Sequence, residues 1–426
     1  MLTLLARLRP CTHTIPQTGR GKLSRFAPTL LPTPAPTPNP TLSPSTAPTP
    51  NPSPFPSPLP VTPAPIPPVH AAQWVQVGND IDGESPGDGV GASVALSSNG
   101  AVVAIGSARG VRVYFNAGGG WEQRGNAVDG CCCPVSVSAD GNILAVGARN
   151  ANGNGLVYVF QWILNTWQPL GSRLEGTDGF GSSFALSDDG TILAVGARRS
   201  LDIEGHVKVF SWTGTDWIQP GSDLLGSYPG GWYGNSVSLS SDGSILAYGF
   251  YQYRLGYVEV YRWSGSTWQQ QGSTLTGFGF NEEFGVSVCL SGDGSIVAVG
   301  ASAARGLGDY VVAFRNDGTD WVQIGDSLLR HFHSSVSLSS DGKTILIGVD
   351  GHGSNGFSSG QALVFRLSPN EQEWRQVGQK LFGEAAHDSF GRSTSISDSG
   401  TRIAIGAVGN DGNGGNAGIV RVYDLQ

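Results

Sequence analysis

One short motif recurs seven times along this chain, and its spacing constrains the fold more than any other feature. The motif is Trp-x-Gln-x-Gly. Its copies begin at Trp74, Trp121, Trp167, Trp217, Trp268, Trp321 and Trp374, with Pro169 in the Gln position of the third. Successive copies lie 46 to 53 residues apart. A unit of that size is one small sheet, too thin to bury both of its own faces, so such units must stack on each other.

The third unit, 179–221, is the clearest. It holds β runs at 183–187, 191–196 and 206–212, with an Asp189-Gly190 turn after the first and a fourth run starting at Trp217. Gly-containing turns between alternating runs are hairpin signals. Four antiparallel strands in each of seven units predict an all-β chain, a seven-bladed β-propeller. The centre of each first strand is small: Ala95, Ser136, Ala185, Ser238, Cys289, Ser337 and Ser395. Period-two alternation then sets a face of small residues against a bulky face of the next blade. The repeat enters at 74–78 with a fourth-strand motif and leaves at 419–423 with a third strand. The two are expected to pair, so that the N-terminal strand closes the ring on the last blade and no sheet edge stays open.

Composition divides the chain into 1–27, 28–70 and 71–426. Of the 26 prolines, 18 fall within 28–70, interleaved with Thr, Ser and Ala. Proline lacks the backbone donor and fixes φ, so this stretch reads as a disordered polyproline II linker or stalk. Its Ser and Thr content suits an O-glycosylated, extracellular or cell-surface protein. Residues 1–27 are basic and free of acid, with an apolar start ahead of Arg7 and Arg9. That order fits a secretory signal poorly, and a transit peptide or a misplaced start remain as alternatives. Residues 71–426 carry a formal charge of −13, which excludes a nucleic-acid footprint. No apolar run reaches membrane-spanning length. The five cysteines, Cys11, Cys131, Cys132, Cys133 and Cys289, form neither a disulfide framework nor a tetrahedral metal set.

A pair of recurring dipeptides adds a family likeness. Phe180-Gly181, Tyr233-Gly234, Phe284-Gly285 and Phe390-Gly391 precede first strands, and Gly147-Ala148, Gly196-Ala197, Gly300-Ala301 and Gly406-Ala407 end second strands. This pattern resembles the FG-GAP repeat of integrin-α-type propellers. That family often carries an Asp-rich calcium loop between the two elements. Here the connection is a short turn such as Asp188-Asp189-Gly190, with too few oxygen donors for calcium, so no metal or cofactor is carried over. The Leu-Ser-Ser-Asp-Gly run before Val-x-Val-Tyr strands is also similar to WD-repeat blades, although the Trp-Asp ending is missing.

Candidate binding residues fall in two sets. Tyr228, Trp232 and Tyr233 lie in a Gly/Pro loop outside the repeated positions, suited to ligand contact. Asp88, Asp178, Glu282, Glu283 and Asp388 precede first strands and could line one face as carboxylates for a cation or basic ligand; the structural alternative is that they cap turns. Trp162 with Trp167, Trp212 with Trp217 and Trp263 with Trp268 are spaced for cross-strand packing. His331 and His333 are a possible metal pair without a third ligand, and Asp411 and Asn413 have calcium-loop spacing without a following Glu. The expected function is a non-catalytic binding or adhesion scaffold, monomeric, for a protein or glycan. The alternatives are a secreted carbohydrate-active enzyme using two of the carboxylates, and an intracellular WD-repeat-like hub.

Overall fold

The structure is a computed structural model that describes residues 72–128, 134–149, 155–177, 179–198, 205–225, 234–252, 255–279, 282–303, 309–328 and 335–426. Residues 1–27 and 28–70 lie outside these, as do Cys131 to Cys133, Asp178, Tyr228, Trp232, Tyr233, His331 and His333. Among the described residues every regular element is a β-strand. The strands form six hydrogen-bonded sheets built from antiparallel four-stranded units. One is typical: Ser93–Leu96, Val102–Ser107, Gly110–Asn116 and Trp121–Gln123 pair in chain order. In the third repeat the first strand is longer than its sequence suggests. It runs Phe180–Leu186, with a register shift between Phe180 and Ser183.

The second strands, such as Val102–Ser107 and Thr344–Val349, are buried along their whole length. They are covered on both faces, so apolar clusters form between neighbouring units. One cluster joins Val94, Val103 and Ile105 of the first unit to Ala404, Val420 and Val422 near the end of the chain.

Each element of the repeated motif has a physical task. The Trp indole N–H donates to a carbonyl of the preceding copy: Trp121 to Val77 at 2.9 Å, Trp167 to Arg124 at 3.0 Å, Trp217 to Leu170 at 2.9 Å and Trp321 to Gln271 at 2.7 Å. In four copies the Gln amide donates to the carbonyl of its own motif glycine, as in Gln123 to Gly125 at 2.8 Å and Gln376 to Gly378 at 3.0 Å, while Gln219 and Gln270 donate to Asp223 and Thr274 four residues on. The glycine leaves room for the next tryptophan. A Cβ on Gly325 would stand 2.4 Å from Trp374 Cδ1, and one on Gly378 would stand 2.6 Å from Trp74 Cδ1. The Trp pairs, with ring centroids 5.1 to 5.5 Å apart, pack against the motif glycines Gly125, Gly171 and Gly221.

The Phe-Gly and Gly-Ala dipeptides mark a second contact between neighbours. A Cβ on Gly196 would lie 2.2 Å from the carbonyl oxygen of Gly234, on Gly249 1.9 Å from that of Gly285, and on Gly406 2.2 Å from that of Gly91. Backbone meets backbone there, and no side chain fits. The small first-strand residues do more than make room. The Oγ atoms of Ser136, Ser238 and Ser395 accept the N–H groups of Leu186 (3.2 Å), Leu290 (2.9 Å) and Leu96 (2.9 Å) on the adjoining unit.

At the turn after each first strand the units are linked head to tail. Ser98 donates its N–H to the carbonyl of Ala139 at 3.0 Å, Ala139 to Asp188 at 2.8 Å, and Asp188 to Ser241 at 2.8 Å. Ser241 donates to Gly292, and Gly292 to Ser340, both at 2.8 Å. Ser340 donates to Asp398 at 3.1 Å, and Asp398 returns to Ser98 at 3.0 Å.

The ends of the repeat region meet. Trp74–Gln76 runs antiparallel to the last strand, with Trp74 opposite Leu425, Val75 opposite Asp424 and Gln76 opposite Tyr423. Gln73 and Gln426 exchange backbone hydrogen bonds of 3.0 and 2.9 Å. On its other side, Trp74 gives its N–H to Gln379 Oε1 (2.9 Å), accepts from Gln379 Nε2 (2.6 Å) and sends its indole N–H to Val377 (2.9 Å). Arg421, whose side chain is 11% exposed, grips Asp80 at 2.7 Å across the same seam.

Candidate functional site

Strand direction sorts the connections. The turns after first and third strands fall at one end of each sheet. The loops after second strands and the connections into first strands fall at the other. Asp88, Glu282, Glu283 and Asp388 belong to this second, loop-bearing end.

Asp88 is fully buried there. Its Oδ2 accepts the N–H groups of Glu84 (2.8 Å) and Ser85 (3.1 Å), while Arg109 Nε reaches Oδ1 at 2.5 Å and Arg112 lies 3.7 Å from Oδ2. Asp388 repeats this arrangement. Its Oδ2 accepts from Glu384 N (2.8 Å), Ala385 N (2.9 Å) and Asn410 Nδ2 (3.4 Å). Carboxylates that close a turn in this way order the loop, each through its Oδ2. Glu282 is buried and accepts the Tyr310 hydroxyl at 2.8 Å. Its neighbour Glu283 is exposed, because successive strand residues point to opposite faces. Asp411 Oδ1 accepts Asn416 N at 2.7 Å, and Asn413 Nδ2 donates to Gly83 O at 2.8 Å, so both serve loop structure.

Glu283 lines a cleft of about 150 Å³ with Arg198, Asn235, Phe250, Phe284, Gly285 and Val286. Three units contribute to it. The chain reaches Arg198 from the strand Ile192–Ala197, Asn235 leads into Ser236–Leu239, and the rest comes chiefly from Glu282–Leu290. Asn235 Nδ2 donates to Val286 O at 3.3 Å, which fixes one wall. The cleft thus presents one cation and one anion over an apolar floor. Sequence reasoning missed Arg198 and Asn235, because no motif marks a residue that only the stacking of units brings to a site.

A second cavity, of about 290 Å³, lies at the seam between Asn79, Asp80, Ile81, Asp82, Tyr114, Gly120 and Trp121. Among the described residues no three or more His, Cys, Asp or Glu side chains are placed to hold a metal ion, and no helix is long and apolar enough to cross a membrane.

No protein-family model matches this chain, and no curated protein matches it. Solved structures do. One is the hydrazine synthase of Kuenenia stuttgartiensis, at TM-score 0.53 and 14% identity, covering 80% of this chain and 96% of that one. Another is the Cps50 (Swd1) β-propeller domain of Myceliophteria thermophila, at TM-score 0.55 and 10% identity, covering 84% of this chain and 99% of that one. The fold is that of a β-propeller. At such identities the likeness extends to the fold and stops there.

Two sets of acidic groups in the propeller respond to pH in opposite directions. Burial alone would raise the carboxyls of Asp140, Asp189, Asp242 and Asp293. Hydrogen bonds from the serine two residues earlier and the residue two later outweigh it and hold all four below the ordinary range. Such groups stabilise the fold above the unfolded value, about pH 4, and that stability is lost as pH falls through their folded pKa. Asp82 runs the other way. Burial, then the charge of Asp80, raise it against the pull of Arg421, so ionised Asp82 opposes folding at neutral pH. Asp82→Asn is expected to raise the melting temperature at pH 7 and to give no advantage at about pH 3. A variant that melts with the parent at pH 7 would count against this assignment.

Proposed function

We propose that this chain is a seven-bladed propeller, closed by its own N-terminal strand and diverged from the FG-GAP-repeat family, that acts as a non-catalytic binding scaffold. Its ligand is a protein or glycan held at the loop-bearing end, and its setting is extracellular or on the cell surface. The return of the turn hydrogen bonds from Asp398 to Ser98 supports the closed ring of seven. The Phe-Gly and Gly-Ala contacts support the family reading.

The observation that carries the binding reading is how the acidic set is used. Asp88 and Asp388 are buried with their Oδ2 atoms engaged by backbone amides, and Glu282 and Glu283 point to opposite faces, which favours a loop-ordering use of these four over an acid and base pair. What the loop end offers instead is the Arg198–Glu283 cleft, one charge of each sign over an apolar floor.

The test is capture on protein and glycan arrays by the purified full chain and by its charge-reversed variant Arg198→Glu/Glu283→Arg. Binding is expected to weaken at least about tenfold, or roughly 1.4 kcal/mol, with the melting temperature little changed. Unaltered capture by the variant, or hydrolysis of an arrayed sugar by the parent, would overturn the reading.

A further inference from the structure

Two pairs of loops at the loop-bearing end are copies of each other, yet they differ where the fold does not require it. One pair is 350–360 with 383–391. The other is 408–418 with 83–91. Their backbone hydrogen bonds correspond one to one. His387 N to Phe357 O (2.8 Å) matches Gly87 N to Gly415 O (2.9 Å), Ser389 N to Ser358 O matches Gly89 N to Asn416 O (both 3.0 Å), and Phe390 N to Ser359 O (3.1 Å) matches Val90 N to Ala417 O (3.0 Å). Asn355 Nδ2 donates to Gly383 O at 2.7 Å as Asn413 Nδ2 donates to Gly83 O at 2.8 Å.

At three of their left-handed points the two pairs carry different residues. In the second pair they carry Gly87 (φ 77°), Gly89 (φ 57°) and Asn416 (φ 57°), residue types that tolerate this conformation. In the first pair they carry His387 (φ 72°), Ser389 (φ 55°) and Ser358 (φ 53°), and Phe357 replaces Gly415. The exchanges at 387, 389 and 358 run against backbone preference. They are not offset by burial. Phe357 is 76% exposed, and its ring lies 5.6 Å from that of His387. Ala385, Ala386 and Phe382 beside them are exposed too. The charges nearby are paired, Glu384 with Arg421 and Asp350 with Arg392 at 3.0 Å. The result is an exposed aromatic patch, free of Asp, Glu, Lys and Arg at its centre, on an acidic domain. Strain kept where the same chain holds a relaxed version of the same loops points to a task outside the fold.

We propose that Phe357 and His387 anchor a protein–protein interface, and that the partner is a folded protein presenting an apolar pocket. Charge depletion at the centre and an aromatic anchor are what such interfaces share. Phe357 projects, so the concave half of the contact must come from the partner. A small ligand, by contrast, needs a cleft on this side. The inference rests on the binding-scaffold reading above and gives it a second contact surface and a partner class.

The experiment places the photocrosslinker p-benzoylphenylalanine at position 357 of the full chain, or at the twin position 415, in the cells that make the protein. The crosslinked partner is then purified and titrated against the parent and against Phe357→Gly/His387→Gly/Ser389→Gly, which restores the twin's glycines. A discrete protein adduct is expected from 357 and none from 415. Affinity is expected to fall at least about tenfold in the triple variant, while that variant melts at or above the parent. No adduct from 357, equal adducts from both positions, an adduct with glycan alone, or unchanged affinity would overturn the proposal. Unchanged affinity in the triple variant together with lost binding in Arg198→Glu/Glu283→Arg would remove this surface and leave the scaffold reading standing. Loss of neither, with no ligand on the arrays, would remove both.

Discussion

Trp74→Ala is expected to destabilise the propeller by about 3–5 kcal/mol, the range for truncating a buried Trp. In a domain of this size that is a fall of roughly 4–7 °C in melting temperature. The residue stands at the edge of the sequence-defined repeat, where truncation is usually harmless. Here it is 3% exposed and packs with Leu346, Val364, Phe390 and Ile405. Its indole bond to Val377 copies the bond that Trp217 makes to Leu170 inside the array. Trp217→Ala is therefore the internal comparison, and the two variants should lose similar stability in thermal melts. If Trp74→Ala melts with the parent while Trp217→Ala does not, the first strand is not a working part of the fold.

The second large effect is at Gly406. A methyl group there would meet the carbonyl oxygen of Gly91 at 2.2 Å and Ser393 Oγ at 2.5 Å. Its main obstacle is backbone, which cannot rotate aside, so Gly406→Ala is expected to cost about 3 kcal/mol. Gly120→Ala is the control. A Cβ there has no neighbour within 4 Å, and the change should stay within about 0.5 kcal/mol. Gly91 and Gly406 belong to the first and last repeats, so this pair also probes the seam. Equal stability of the two variants in urea titrations would mean that the repeats do not approach as closely as described.

Much of this architecture could be read from the residues, for a physical reason. Trp and Gly in the long motif, and the glycines of the two dipeptides, are residues with which one unit touches the next, so their recurrence is the imprint of stacking, while the motif Gln ties down its own turn. The meeting of Trp74 with Leu425 was foreseeable because a lone fourth strand and a lone third strand each lack what the other supplies. The site was harder to read. That Asp88 and Asp388 close turns depends on backbone amides folding back within five residues, which composition does not display. Arg198 and Glu283 come from different repeats and share no pattern. The twin loops did leave a sign, since Gly-Glu at 83–84 and 383–384 is followed each time by Asp four residues on, and aligning those segments would have singled out His387 and Ser389. The candidates Tyr228, Trp232, Tyr233 and Asp178 lie outside the described residues and keep only their sequence argument.

Ring closure by the first strand is tested most directly by hydrogen–deuterium exchange on the unmodified protein, followed in peptides spanning 72–82 and 419–426. Both sides of the seam should resist exchange together and open with the same free energy, because each supplies the other's partners. Rapid, complete labelling of 72–82 while 419–426 and the inner strands stay protected would contradict the account.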